Sequence, residues 1–301
     1  MIRFLYMNKG IALIFGLLFC IPGTAQSDLQ EMFDTEKAFE RVAAEKGVRS
    51  AYLEFLADDA TIFRPDAVKG KEFWKARQDF ESRIVRTPVY SDISSNGLLG
   101  YTTGSWALYT KKRPETPSEF GQFVTIWEKK PDGKFRASVD IGISHDDPPP
   151  AEASDIVRTG KARDKNLRGW SAADPSMNFL RMSMSGKAAA GAYDKFAADG
   201  IRLLRDGEPP IVGKKNVVRE TKNYKSLDFP KKVALFQSAD MAYVWNPCVY
   251  SNNNEGTERG NCLQIWKLSD EKWSIVLGVF ARLPNETQPV LKTSGKSKGP
   301  R

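Results

Sequence analysis

Along residues 28–46 apolar side chains return at helical spacing: Leu29, Met32, Phe33, Phe39, Val42 and Ala43 share one broad side, and Gly47 is placed to end the helix. Residues 48–56 predict a second helix with Tyr52, Phe55 and Leu56 turned inward. Ala60-Thr61-Ile62-Phe63 then starts a short strand that Arg64-Pro65-Asp66 breaks. Residues 70–79 predict a third short helix carrying Phe73 and Trp74. From Val89 the period falls to two, and residues 101–109, 121–129 and 135–144 read as β-rich strands, with Pro131-Asp132-Gly133 as a turn. Helices followed by an antiparallel meander predict an α+β layer in which the helices cover one face of the sheet.

The pattern then repeats. Ala51 to Arg64 returns as Ala192 to Arg205 with 6 of 14 positions identical, and the block Gly121-Gln122-Phe123-Val124-Thr125-Ile126-Trp127 returns as Gly260-Asn261-Cys262-Leu263-Gln264-Ile265-Trp266. Each unit is too long for a solenoid repeat and long enough for its own core. In the second unit residues 177–197 predict helix, 201–205 a strand, 213–221 a short helix, and 233–237, 241–250, 262–268 and 273–282 strands. Between the units lies Asp146-Asp147-Pro148-Pro149-Pro150, whose prolines cannot sit inside a helix or central strand. The expected divisions are 1–25, 26–147, 148–176, 177–286 and 287–301.

Residues 1–25 read as a secretory signal: Arg3 and Lys9 give positive charge, residues 11–21 are apolar, and Gly23-Thr24-Ala25 precedes a cut. The run is far shorter than the roughly 20 apolar residues a membrane span needs. A lipoprotein reading through Cys20 fits less well, because Phe19 stands where a small residue belongs. The expected location is secreted or periplasmic, with no stable membrane anchor. The net charge of +8 suggests nucleic acid until the leader and the tail lysines and arginine are set aside, which leaves residues 26–291 at +2. No nucleic-acid partner is expected, and residues 287–301 form a basic, solvated tail.

Taken together, Phe39 to Gly47, Phe55 to Ala60, Leu99 to Gly104, Gly121 to Trp127 and Val139 to His145 resemble the secreted bacterial branch of the nuclear-transport-factor-2-like superfamily, which includes SnoaL-like cyclases and ketosteroid isomerases. The resemblance covers residues 30–146 and, less sharply, 177–284. It implies two tandem SnoaL-like cones, each a bent antiparallel sheet wrapped around about three helices, with an apolar pocket between. It implies no cofactor, and it leaves open whether the protein is an enzyme.

Three functions follow from different classes: an exported binder of a small apolar or amphipathic molecule, a cofactor-independent isomerase or cyclase, and an assembly module whose sheets pair as an intramolecular pseudo-dimer or a homodimer. For the enzyme, Asp140 shares a strand face with Ser138, Gly142 and Ser144. An inward aspartate in an apolar pocket would have a raised pKa suited to proton transfer beside a carbonyl; the alternative places it outside or on an arginine. His145, the only histidine, either assists at the pocket rim or ends the strand. A single histidine forms no zinc cluster, so no metal site is expected. Tyr52, Tyr101, Trp106, Trp127, Tyr193, Tyr243 and Trp266 are candidate pocket aromatics. Arg64 and Arg205 hold matched places and meet either an anionic ligand or Asp58 and Asp199. Cys248 and Cys262 flank a polar hairpin loop, where export predicts a disulfide; the first unit has about Ala107 and Phe123 there.

Overall fold

The computed structural model describes residues 25–79, 82–148, 170–184, 189–228, 234–252 and 256–284. Residues 1–24 of the expected signal, residues 149–169 of the expected linker and the expected tail lie outside them. Helix α1 (Ala25–Lys46) opens with Asp28 and closes with Lys46, each charge complementing its end of the helix dipole. Gly47, at φ 89°, turns the chain into α2 (Val48–Phe55). Then come β1 (Leu56–Phe63), β2 (Ala67–Lys69), α3 (Gly70–Lys75), β3 (Arg83–Ile93), β4 (Leu99–Tyr109), β5 (Glu119–Lys129) and β6 (Phe135–His145). The second unit follows as α4 (Ala173–Ser183), α5 (Ala189–Phe196), β7 (Ala197–Arg205), β8 (Glu208–Val212), α6 (Lys214–Glu220), β9 (Tyr224–Asp228), β10 (Ala234–Ser238), β11 (Met241–Asn252), β12 (Gly256–Ser269) and β13 (Lys272–Arg282).

The first sheet runs β2-β1-β6-β5-β4-β3, and the second β10-β11-β12-β13-β7-β8, with β9 also on β11. The expected antiparallel meander is β3-β4-β5-β6 in the first sheet and β10-β11-β12-β13 in the second, and one parallel pairing makes each sheet mixed. The strand after the helices lies parallel to the last strand, β1 beside β6 and β7 beside β13. Pro88 falls at a register shift of the edge strand β3, a place where a missing ladder N–H is tolerated. The second unit begins earlier than expected: α4 starts inside the stretch read as linker, and Gln237 accepts from Ala172 N (2.9 Å) and donates to Trp170 O (2.8 Å).

Helices and sheets stack in four layers. The first-unit helices bury Phe39, Tyr52, Trp74 and Trp127 against one face of the first sheet, and the second-unit helices bury Phe179, Tyr193, Phe196 and Trp266 against one face of the second. Close packing of α1 on the sheet requires Gly100, where a Cβ would stand 2.4 Å from Met32 Sδ and 2.8 Å from Asp92 O. The remaining faces meet each other. Phe63, Leu99, Tyr101, Val124, Ile126, Val139, Ile141 and Ile143 pack against Leu204, Met241, Tyr243, Leu263, Ile265, Leu277, Val279 and Ala281. Ladder partners show that these are the same eight positions of the two units, so the chain forms within itself the self-complementary contact that a two-fold dimer makes between copies. Apolar burial is the main attraction, and polar groups set the register. Lys267 Nζ donates to Ile93 O (2.6 Å) between Asp92 and Asp240. Asp206 accepts from the backbone N–H of Ser144 (2.7 Å) and of Arg282 (2.5 Å), tying β6 to β13.

Candidate functional site

The interior of the first cone is charged. Asp140 stands on the helix-covered face of β6, opposite Val139 and Ile141, and is 4% exposed. Its Oδ1 accepts from the Tyr52 hydroxyl (2.8 Å) and stands 3.5 Å from Arg64. Its Oδ2 accepts from Thr125 Oγ1 (3.0 Å) and stands 3.2 Å from Arg86. Burial alone would favour the neutral acid. Arg86, Arg64 and the two hydroxyls outweigh it and hold the carboxyl below its ordinary range. Of the two readings of Asp140, the structure shows the one that sets it on arginine, here two guanidinium groups, and not the raised pKa of an apolar pocket.

Sequence reasoning missed three partners. Glu36, on α1, is fully buried; its Oε2 accepts from Thr102 Oγ1 (2.5 Å) and Trp127 Nε1 (3.2 Å), and its Oε1 lies 3.5 Å from Arg86 Nε. Burial, with Asp140 adding repulsion, raises its carboxyl despite Arg86 and Thr102. One turn on, burial and then Glu36 push Glu40 up to about 8. Arg86, on β3, lies 3.7 Å above the Phe123 ring and donates to Thr125 (2.5 Å); burial opposes its charge, but Glu36 and Asp140 keep it protonated. The signal for Glu36 was its place between Met32, Phe39 and Ala43, inside the apolar stripe of the helix. Arg86 precedes the stretch recognised as strand.

Beside this network, Phe39, Glu40, Ala43, Val48, Tyr52, Ile84 and Arg86 line a small recess with room for only about 20 Å³. The second cone encloses a similar void of about 20 Å³ by Tyr193, Arg205, Tyr250 and Gln264 among others. Both cones are thus largely filled by their own side chains.

The other expected residues divide. Tyr52, stacked on Trp74 at 4.7 Å, and Arg64, whose guanidinium donates to the Tyr52 hydroxyl (3.0 Å), belong to the network. Trp127 belongs to it through Glu36 and does not line the recess. Tyr101 and Tyr243 face the opposite cone, Tyr101 stacked on Tyr90 and Tyr243 donating to Glu128 (3.1 Å), so neither is a pocket aromatic. Trp106 lies along the sheet and donates to Ile143 O (3.1 Å). Tyr193 borders the second void, while Trp266 is packed between Phe179 and Phe196. His145 stands next to Gln122 (3.2 Å) and Asp147 O (2.6 Å), away from Asp140. Arg64 and Arg205 pair with neither Asp58 nor Asp199: Asp58 takes Lys71 (2.6 Å), and Arg205 takes Glu208, Glu258 and Tyr224. Cys248 and Cys262 are disulfide-bonded with Cα atoms 5.9 Å apart. They are diagonal neighbours, since Cys248 lies opposite Gly260 and Cys262 opposite Asn246, and their first-cone matches are Trp106 and Phe123. Among the described residues no group of three His, Cys, Asp or Glu side chains is placed to hold a metal.

No family model and no curated protein matches the chain. Similar solved structures include an NTF2-like protein of unknown function from Prochlorococcus (16% identity, 39% of this chain and 97% of that one, TM-score 0.33). A ketosteroid isomerase-like protein from Erwinia carotovora atroseptica is 18% identical over 38% of this chain and 94% of its own, with a TM-score of 0.32. An NTF2-like protein of unknown function from Pseudomonas putida is 11% identical over 40% and 93%, also at 0.32. The likeness is one of fold outline and carries nothing about chemistry.

Proposed function

We propose that the protein is an exported small-molecule binder in which the first cone holds the ligand and the second serves as its structural partner. The observation that carries this is the unequal interior of two equivalent domains. Matched by ladder register, Asp140 becomes Gly278 and Thr102 becomes Val244. Matched by the edge-to-face pairs Phe39–Tyr52 (5.0 Å) and Phe179–Tyr193 (5.1 Å), Glu36 becomes Ser176 and Glu40 becomes Leu180. The fold therefore stands without these charges. Buried ion networks seldom stabilise more than apolar residues of the same shape, and perturbed carboxyls gather at functional sites. The disulfide supports the export part of the proposal, because such bonds persist in oxidising compartments.

A second reading, proton-transfer catalysis, draws support from one group. Asp140 is ionised and engaged on both oxygens, which suits charge stabilisation. Glu40, with a carboxyl at about 8, is the better proton carrier near neutral pH. Soaking crystals of the full chain with a fragment library tests the binding proposal. Fragments in the Glu40–Arg86 recess are expected; fragments confined to the second cone, or absent from both, would refute it.

A further inference from the structure

The last two turns of α1 have little to hold them. Leu29, Met32, Phe33, Glu36 and Phe39 are buried, and Lys129 pins the start of the helix through Asp28 (2.8 Å) and Glu31 (2.7 Å). Past Phe39 no residue of the helix is buried. Segments with so few buried apolar contacts open before the rest of a fold. Residues 40–46 end at Gly47, whose φ of 89° separates them from α2. They still cover something: Glu40 and Ala43 close the small recess whose other walls include Val48 and Tyr52 of α2 and Ile84 and Arg86 of β3.

The charges around this segment suit one protonation state better than the other. Glu36 and Glu40 lie one turn apart, and each has an Oε1 that is buried without a hydrogen-bond partner. Glu40 is faced by Glu36 and Lys37 of its own helix, by Arg86 of β3 and, across the recess, by Tyr52 of α2. Arg86 is already shared between Glu36 (3.5 Å) and Asp140 (3.2 Å). Lys37 is exposed and lies 4.8 Å from the Phe33 ring. A charge on Glu40 therefore stands beside a like charge and a cation that is already engaged, whereas the neutral acid meets no repulsion. We propose that residues 40–46 form a flap over the first cone, closed while Glu40 carries its proton and released from Ile84 and Arg86 when the proton is lost. This rests on the reading of the first cone as a binding site and names its regulation: the closed recess has room for only about 20 Å³, and release of the flap is what uncovers the wall behind it. Burial and then Glu36 hold the Glu40 carboxyl near 8, so the proton is present at neutral pH and leaves just above it. Once the flap opens, the carboxyl meets water and returns toward its ordinary 4.5, so rising pH favours the open form.

Hydrogen exchange of the full chain, followed by mass spectrometry at pH 6 and pH 9 and divided by the intrinsic exchange rate at each pH, tests the flap without a ligand. Protection of residues 40–46 is expected to fall about tenfold or more across that range and to lie below that of β5 and β6 at pH 9. Glu40→Gln, which has no proton to lose, is expected to keep at pH 9 the protection it has at pH 6. Parental protection that does not change with pH would overturn the flap, as would a fall that survives Glu40→Gln. So would residues 40–46 exchanging no faster than β5 and β6 at pH 9, since they would then open only with the whole cone. The fragment soak reports on the binder separately: fragments bound beside flat exchange would overturn the flap alone, and a pH-driven opening with no fragment in the first cone would support the flap and refute the binder.

Discussion

Where the first cone carries Asp140, Thr102, Glu36 and Glu40, the second carries Gly278, Val244, Ser176 and Leu180, on the same strands and helices. The scaffold around these positions hardly differs. Tyr52 and Tyr193 both lie edge-on to a phenylalanine, and Trp127 and Trp266 are both fully buried. Even the tryptophan N–H is satisfied twice by different means, through Glu36 and Thr102 in the first cone and Gln264 in the second. The second cone instead adds a covalent tie, Cys248–Cys262, where the first has Trp106 and Phe123. A buried arginine with acidic partners, Arg86 or Arg205, stands in both copies; the first alone adds the buried carboxyls of Glu36 and Asp140, and the second alone adds the bridge. Duplication supplies the internal control: what both cones share belongs to the architecture, and what one alone keeps belongs to its task.

The largest expected effect comes from unbalancing the charged interior. Arg86→Ala removes the cation that Asp140 and Glu36 both face. Breaking a buried pair from one side should cost about 4 kcal/mol of unfolding free energy. Urea denaturation measures it, and a loss below about 1 kcal/mol would mean that water already reaches the network.

Next comes the second cone's bridge. Reducing Cys248–Cys262, which closes a loop spanning 14 residues, should cost about 3 kcal/mol in the chain-entropy model. Unfolding followed with and without reductant checks this. An unchanged midpoint would show that the hairpin is held by its ladder alone.

A smaller effect is read against pH. The Glu40 carboxyl lies near 8 in the folded chain and has an ordinary value of 4.5 when unfolded. A raised carboxyl stabilises the fold below the unfolded value, and that contribution is lost as pH climbs from about 4.5 toward 8. Allowing for partial exposure, the loss is about 2 kcal/mol. Glu40→Gln should flatten this part of the stability profile, so that variant and parent differ more at pH 8 than at pH 5; parallel profiles would contradict the assignment.

How much of this was legible in the sequence depended on which face a residue served. The alternation Val139-Asp140-Ile141 correctly separated two faces of β6. It could not say that both faces are buried, one under helices and the other under the second sheet. Tyr101 and Tyr243 were for that reason assigned to pockets although they lie between the sheets. The parallel placement of β1 on β6 is a pairing across more than 70 residues of chain, invisible to any local window. Glu36 and Glu40 read as polar positions of an amphipathic helix; only the stripe Met32, Phe39, Ala43 around Glu36 hinted that it faced inward. The cysteine pair was legible because it lay within one hairpin, and its diagonal place follows from a ladder register, Asn252 opposite Gly256, that spacing alone does not specify.

The central claim is that the first cone's charges serve a task the fold does not impose. Its most direct test gives that cone the second cone's interior: Glu36→Ser, Glu40→Leu, Thr102→Val, Thr125→Gln and Asp140→Gly, with Arg86→Met to remove the cation left without partners. Thr125→Gln restores to Trp127 the acceptor that Gln264 offers Trp266. Exchanging a whole buried ion network for fitting neutral residues is commonly neutral or stabilising, in contrast to removing one member. The account predicts that equilibrium urea unfolding of this six-residue variant yields a free energy equal to or above that of the parent; a loss of more than about 2 kcal/mol would mean that the charges hold the first cone together, and would contradict it.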